Sequence, residues 1–97
     1  MKPAGVLEIR HVDDCHDGSL IKEVLLTRAI SRELIYYLGK DGEVFYYGHF
    51  PRPFFKIRVV QLFDLKGIEG NNTLRVHLKR PDEYSMDHFV SFLEGFS

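Results

Sequence analysis

The stretch LRVHLK, residues Leu74–Lys79, decides the predicted fold, because apolar and polar side chains alternate along it without interruption. A second run, FKIRV at Phe55–Val59, alternates in the same way. A period of two places successive side chains on opposite faces of a strand, so each run predicts a strand with one buried face and one solvated face. We expect the two runs to pair as an antiparallel hairpin. The adjacent apolar residues Val59 and Val60 shift the alternation, which indicates a β-bulge at that point.

A shorter hairpin is predicted over Glu33–Leu38 and Glu43–Tyr47, which are both rich in the large apolar and aromatic residues that favour strands. Four residues separate the two runs, and Gly39 and Gly42 at the ends of this connection adopt positive φ angles without steric cost. Val6–Val12 is a further predicted strand. The chain is therefore expected to contain an antiparallel meander.

A helix is predicted over Met86–Glu94, near the end of the chain. Ser85 is a favourable N-cap, and Asp87 in the first turn suits the helix dipole. Gly95 stands where a glycine commonly ends a helix. The segment carries an apolar stripe at helical spacing: Phe89, Val90, Leu93 and Phe96.

The segment Leu20–Arg32 is open to two interpretations. Its residue types favour a helix over residues 19–32, whereas its apolar side chains scatter around a helical wheel, which favours a buried strand over Leu20–Leu26. With a strand, the chain is an antiparallel meander of about five to six strands closed by a C-terminal helix. That order of elements resembles the pleckstrin-homology-like architecture, although no sequence motif accompanies the resemblance. With a helix, a βα unit precedes a four-stranded meander and the final helix. Both interpretations give an α+β fold.

Length and composition predict a single globular domain over residues 1–97, because 44% of the residues are hydrophobic and 28% are charged. The longest unbroken apolar run, Leu34–Leu38, is far shorter than the roughly 20 residues that span a bilayer. No apolar signal-peptide core follows the N-terminus, and the single cysteine, Cys15, cannot form an internal disulfide. These features predict a soluble, cytoplasmic protein.

The segment His11–Asp17 (HVDDCHD) holds the densest set of metal-ligating residue types. Imidazole and thiolate groups suit zinc, nickel or copper, so His11, Cys15 and His16 are weak candidate ligands. No paired-cysteine or HExxH motif accompanies them, and a polar turn has the same composition. We therefore expect no resident metal and no cofactor, and we keep a metal-binding or metal-responsive protein as the alternative function.

Catalytic motifs are absent from the sequence. It contains no nucleophile elbow, no P-loop, no dinucleotide-binding glycine pattern and no kinase signature. Cys15 with His11 or His16 is the one nucleophile–base pair worth considering, and neighbours on a loop seldom have the geometry that catalysis requires. The sequence therefore predicts that the protein is not an enzyme.

Positive charge is concentrated in one part of the chain. Residues 52–80 contain seven Lys and Arg against Asp64 and Glu69, although the whole chain has a net charge of −1. Five basic side chains fall on the polar side of the two alternating runs: Lys56, Arg58, Arg75, His77 and Lys79. Adjacent like charges on one sheet face repel. Solvent, the acidic segment that contains Asp82, Glu83 and Asp87, or an anionic ligand is therefore expected to compensate them.

The absence of catalytic motifs beside a basic sheet face predicts a non-enzymatic binding or adaptor domain. Its expected partner is an acidic protein segment or a small anion, bound by the five basic residues. Aromatic residues between Phe45 and Phe55 lie near the basic stretch, as they do on surfaces that bind single-stranded nucleic acid. The nearly neutral overall charge argues against a nucleic-acid partner.

Overall fold

The computed structural model describes residues 5–14 and 18–96, which form six strands and two helices. In chain order they are β1 (Val6–Asp14), β2 (Leu20–Leu26), α1 (Arg32–Leu38), β3 (Glu43–Tyr47), β4 (Phe54–Val59), β5 (Phe63–Ile68), β6 (Thr73–Leu78) and α2 (Met86–Glu94). The strands form one sheet in the order β1-β2-β6-β5-β4-β3, and every neighbouring pair is antiparallel. The predicted α+β class, with an antiparallel sheet and a C-terminal helix, is confirmed.

Both helices pack against the same face of the sheet, called here the inner face. Phe63 of β5 contacts Phe89 of α2 edge-on, with ring centroids 5.3 Å apart. Tyr37 of α1 stacks on Phe92 of α2 at 4.9 Å. The inward-pointing residues of β4, β5 and β6 are buried beneath the helices, and Val76 at the centre has no exposed surface. The opposite face, called the outer face, carries no helix of the described chain.

The predicted C-terminal helix is confirmed, with the same bounds. The backbone N–H of the N-cap residue Ser85 donates to Nδ1 of His88 at 3.0 Å, so a histidine takes the place of the glutamate that usually completes this cap. Phe89 and Leu93 of the predicted apolar stripe are buried. They anchor α2 on the inner face.

The predicted hairpin over Glu33–Leu38 and Glu43–Tyr47 is wrong, because the first of these runs belongs to helix α1. Ser31 explains the difference. Its hydroxyl accepts a hydrogen bond from the backbone N–H of Leu34 at 3.1 Å, which is a helix N-cap. Three residues at helical spacing then point into the core: Leu34, Ile35 and Leu38. Because α1 separates β2 from β3, the likeness in element order to the pleckstrin-homology-like architecture ends at β2.

The interpretation of Leu20–Leu26 as a strand is confirmed, and the helix over residues 19–32 is wrong. β2 is bonded to β1 on one side and to β6 on the other. Val24 points inward and is fully buried, whereas Ile21 lies on the outer face opposite His77. A strand with apolar residues on both faces cannot show a clean alternation, which is why its periodicity was ambiguous.

The predicted direct pairing of Phe55–Val59 with Leu74–Lys79 is also wrong, because β5 lies between β4 and β6. Instead of forming a bulge, the chain turns after Val59, whose carbonyl accepts the N–H of Leu62 at 3.0 Å. Gln61 in this turn has a φ of 68°, a left-handed conformation that is usually held by glycine or asparagine. None of the usual turn residues is present here.

β1 forms one edge of the sheet and pairs with β2 alone. Its register shifts twice, between Val6 and Glu8 and between His11 and Asp13. β3, the other edge, has five residues. Within the described residues, neither helix is long and apolar enough to cross a membrane.

The turn between β4 and β5 generates a stability prediction. Replacing the exposed Gln61 with valine is expected to lower the free energy of unfolding by about 1 kcal/mol or more, because a left-handed φ is especially unfavourable for a β-branched residue. Gln61→Gly is the matched control, and its stability should be unchanged or higher, since glycine tolerates this angle. Urea denaturation measures both variants. Equal losses of stability in the valine and glycine variants would show that the glutamine side chain contributes to stability and that its backbone angle does not.

Candidate functional site

Cross-strand pairing arranges the outer face into two rows of side chains. We call the first the lysine row, which runs from β3 to β1 through Phe45, Lys56, Lys66, Arg75, Glu23 and Arg10. We call the second the aspartate row, which runs through Glu43, Arg58, Asp64, His77, Ile21 and Asp13. Four of the five predicted basic residues therefore lie in these two rows, and Lys79 follows directly after β6. The structure brings all five to one face.

Opposite charges alternate between Glu43, Arg58 and Asp64 in the aspartate row, and the basic side chains in and beside the row have partners within the protein. Nζ of Lys79 lies 3.2 Å from Oδ1 of Asp64, and Nε of Arg58 lies 3.9 Å from the same oxygen. Nε2 of His77 is hydrogen-bonded to the hydroxyl of the buried Ser19 at 2.8 Å. Arg58, His77 and Lys79 therefore have partners in the folded chain.

Three cations follow one another in the lysine row. Lys56 lies directly opposite Lys66, which lies directly opposite Arg75. Nη2 of Arg75 lies 3.8 Å from Oε2 of Glu23, and Nη1 of Arg10 lies 3.8 Å from Oε1 of the same carboxylate. Neither lysine makes an ion pair with any residue that the structure describes. Like charges that face each other across a ladder destabilise a sheet, and the two lysines have no carboxylate among the described residues to offset this repulsion.

Two cavities open on the outer face, one on each side of the lysine pair. The larger, of about 750 Å³, lies beside the β3–β4 and β5–β6 loops. Its charged lining residues are four cations and one carboxylate: Arg52, Lys56, Lys66, Arg75 and Glu23. The smaller, of about 380 Å³, lies between Phe45 and Asp64. Lys56 and Lys66 line both cavities, so an anion in either would meet the same two ammonium groups.

The loops beside the larger cavity are tied to each other. The N–H of Glu69 donates to the carbonyl of Pro53 at 2.9 Å, and the guanidinium of Arg52 donates to the side chain of Asn71. The hydroxyl of Tyr46, which also accepts from Arg32 at 3.0 Å, donates to the carboxylate of Glu69. The Arg52–Asn71 link joins two residues that line the cavity, and the other links hold the adjoining backbone of the two loops together.

The hydrogen bonds among Arg32, Tyr46 and Glu69 shift the pKa of two of these groups. Donation to Glu69 raises the pKa of Tyr46 above its ordinary value, and burial adds to this shift. The hydrogen bond to Tyr46 likewise raises the pKa of Arg32. Both shifts favour the neutral phenol and the charged guanidinium, which are the forms that these hydrogen bonds require.

The acidic C-terminal segment does not neutralise the outer face, because α2 packs on the inner face. Glu83 pairs instead with Arg80, with Nη1 and Oε1 3.4 Å apart. Among the described residues, no ion pair joins Asp82, Glu83 or Asp87 to the five predicted cations. This leaves solvent or a ligand to compensate the lysine pair.

The candidate metal ligands are only partly within the described chain. His11 lies on β1 opposite Lys22, whereas Cys15 and His16 lie outside the described residues. Within the described ranges, no three His, Cys, Asp or Glu side chains are grouped so as to hold a metal ion. The metal hypothesis therefore stays a prediction.

Sequence reasoning missed two cations of the larger cavity. Lys66 was missed because β5 was not recognised as a strand, although Phe63 and Leu65 alternate with Asp64 and Lys66 and carry a usable signal. Arg52 comes from a loop, and no sequence periodicity places a loop residue beside a sheet. Comparison of the chain with protein-family models, with curated proteins and with solved structures found no match. The candidate site is therefore interpreted from its own geometry.

The two rows predict opposite effects of the same kind of substitution. Lys66→Thr should raise the free energy of unfolding by about 0.2–1 kcal/mol, because both cross-strand neighbours of Lys66 are cations. Arg58→Thr should lower it by a similar amount, because its neighbours are Glu43 and Asp64. Denaturation at low salt and at 1 M NaCl measures both, and salt should shrink both effects. Changes of the same sign, or insensitivity to salt, would contradict this electrostatic account.

Proposed function

We propose that the protein is a small, cytoplasmic, non-enzymatic binding domain that holds an acidic protein segment or a small anion on its outer face. One observation carries the proposal. Lys56, Lys66 and Arg75 oppose one another in succession, and neither lysine has a carboxylate partner in the described chain. The partner would sit over these three cations.

The energetics of the row support a ligand. Each like-charge opposition costs the fold stability, and a bound anion would turn that repulsion into attraction. Arg75 can grip a carboxylate or a phosphate with two parallel hydrogen bonds, and the lysines add compact charges beside it. A site of this kind recognises negative charge.

The chemistry of the lining supports binding rather than catalysis. The larger cavity is lined by amines, guanidinium groups, apolar side chains and the carboxylate of Glu23, which is paired with Arg75 and Arg10. Its described lining includes neither a histidine nor a cysteine. His77, the histidine of the aspartate row, is already bonded to Ser19. The single cysteine of the sequence supports the cytoplasmic assignment.

Titration of the isotope-labelled protein with a hexaglutamate peptide, and separately with citrate, tests the proposal. We expect backbone amide shifts that centre on Lys56, Lys66 and Arg75 in at least one titration, with the stronger one identifying the partner class. The double variant Lys56→Gln/Lys66→Gln should weaken binding at least tenfold. Raising NaCl from 0.1 M to 1 M should also weaken it, because the Debye length falls from about 10 Å to about 3 Å.

Lys40→Gln is the charge control, and it removes one positive charge where the double variant removes two. Its ammonium group lies over the rings of Tyr37 and Phe92, on the helices that cover the inner face, so its loss should leave the affinity unchanged. A free-energy loss in the control of half that in the double variant or more would mean that only net charge matters, because the control removes one charge and the double variant removes two. The absence of any shift on the outer face with either anion would refute the proposed function.

A further inference from the structure

The outer face is apolar as well as basic, and its apolar part lies at one end. Tyr47 and Phe54 stack there with ring centroids 4.5 Å apart, and Phe50 of the β3–β4 loop packs on Phe54 at 5.2 Å. Phe50 remains 44% exposed. Exposed aromatic rings grouped on a sheet face commonly mark a binding surface.

Phe50 and Phe54 line the same cavity as the three cations of the lysine row that oppose one another. Phe50, Phe54 and Ile68 form its apolar side, and Lys56, Lys66 and Arg75 form its cationic side. Its volume of about 750 Å³ falls within the range of roughly 300–1,000 Å³ that small-molecule sites occupy. The cavity therefore has the size and the two-sided character of a ligand site.

The loops that border the cavity are joined to each other, and the charge of its lining is unbalanced. The hydrogen bonds from Glu69 to Pro53 and from Arg52 to Asn71 join the two loops that border it. Of its charged lining residues, four are cations, and Glu23 is already shared by Arg75 and Arg10. Preformed walls lower the entropic cost of binding, and the surplus charge selects an acid.

We propose that this cavity binds a small amphipathic organic acid, whose apolar body packs against Phe50, Phe54 and Ile68. The carboxylate or phosphate group of the acid meets Lys56, Lys66 and Arg75. The inference rests on the proposed function and narrows it, since it requires an apolar body in addition to negative charge. An acidic peptide lacks such a body unless it also presents a large apolar side chain.

Three probes separate the contributions of charge and apolar body: 2-naphthoate, its neutral analogue 2-naphthalenemethanol, and acetate. We expect 2-naphthoate to bind at least tenfold more tightly than either of the others, measured by amide shifts. The shifts should centre on Phe54, Lys66 and Ile68. Equal affinity of the naphthalene pair would overturn the proposal, because the acid would not be recognised. Equal affinity of 2-naphthoate and acetate would overturn it too, because the apolar body would contribute nothing.

Phe50→Ser and Phe45→Ser form a matched pair of variants. Both rings are exposed to a similar extent, at 44% and 39%, but Phe50 lines the larger cavity and Phe45 lines the smaller one. Phe50→Ser should weaken 2-naphthoate binding at least fivefold, and Phe45→Ser should leave it unchanged. A larger loss of 2-naphthoate affinity in Phe45→Ser than in Phe50→Ser would place the acid in the smaller cavity and overturn the assignment.

The experiment distinguishes failure of this inference from failure of the proposed function. If hexaglutamate or citrate shifts the lysine row and 2-naphthoate binds no better than acetate, the face binds anions and the amphipathic assignment is wrong. If no anion shifts the lysine row, both proposals are wrong. Intact spectra of each variant before titration confirm that the fold is retained.

Discussion

The contact between the two helices is the constraint on which the rest of the molecule depends. Tyr37 of α1 stacks on Phe92 of α2, and its hydroxyl donates to the carbonyl of Phe92 at 2.5 Å. With seven and nine residues, both helices are too short to be stable alone, so each persists because it packs on the other and on the sheet. These two short helices pack on one face of the sheet only. The opposite face is consequently left open, and its side chains are available for purposes other than the core.

The residues that stabilise the fold and the residues proposed to bind a ligand lie on opposite faces of the sheet. The buried set around Phe55, Phe63 and Phe89 supplies the hydrophobic stabilisation, and all of it lies between the sheet and the helices. Outer residues contribute little to that burial, so the chain tolerates two facing lysines there at modest cost. The aspartate row, where each cation has a partner, shows that the same surface accommodates balanced charge. The imbalance is local to Lys56 and Lys66, beside the aromatic side chains.

Local signals in the sequence predicted part of this arrangement. α2 was predictable because Ser85 and Gly95 mark its ends, and the shared face of Lys56 and Arg75 followed from a period of two. α1 was missed because its apolar run is equally compatible with a strand, and the cap at Ser31 was the only distinguishing feature. β5 was missed because the turn at Gln61 contains no typical turn residue. Because β5 was missed, the sequence did not predict that Lys56 lies opposite Lys66. That pairing depends on the register between β4 and β5.

The irregular edge strand β1 has a consequence for solubility. A regular nine-residue edge offers its free backbone groups as a template for another strand, and here it also exposes Leu7, Ile9 and Val12. The two register shifts interrupt the spacing of those groups, so an incoming strand cannot stay in phase along the full length. The other edge, β3, is too short to template a long ladder. The sheet is thus terminated at both ends against edge-to-edge growth into fibrils.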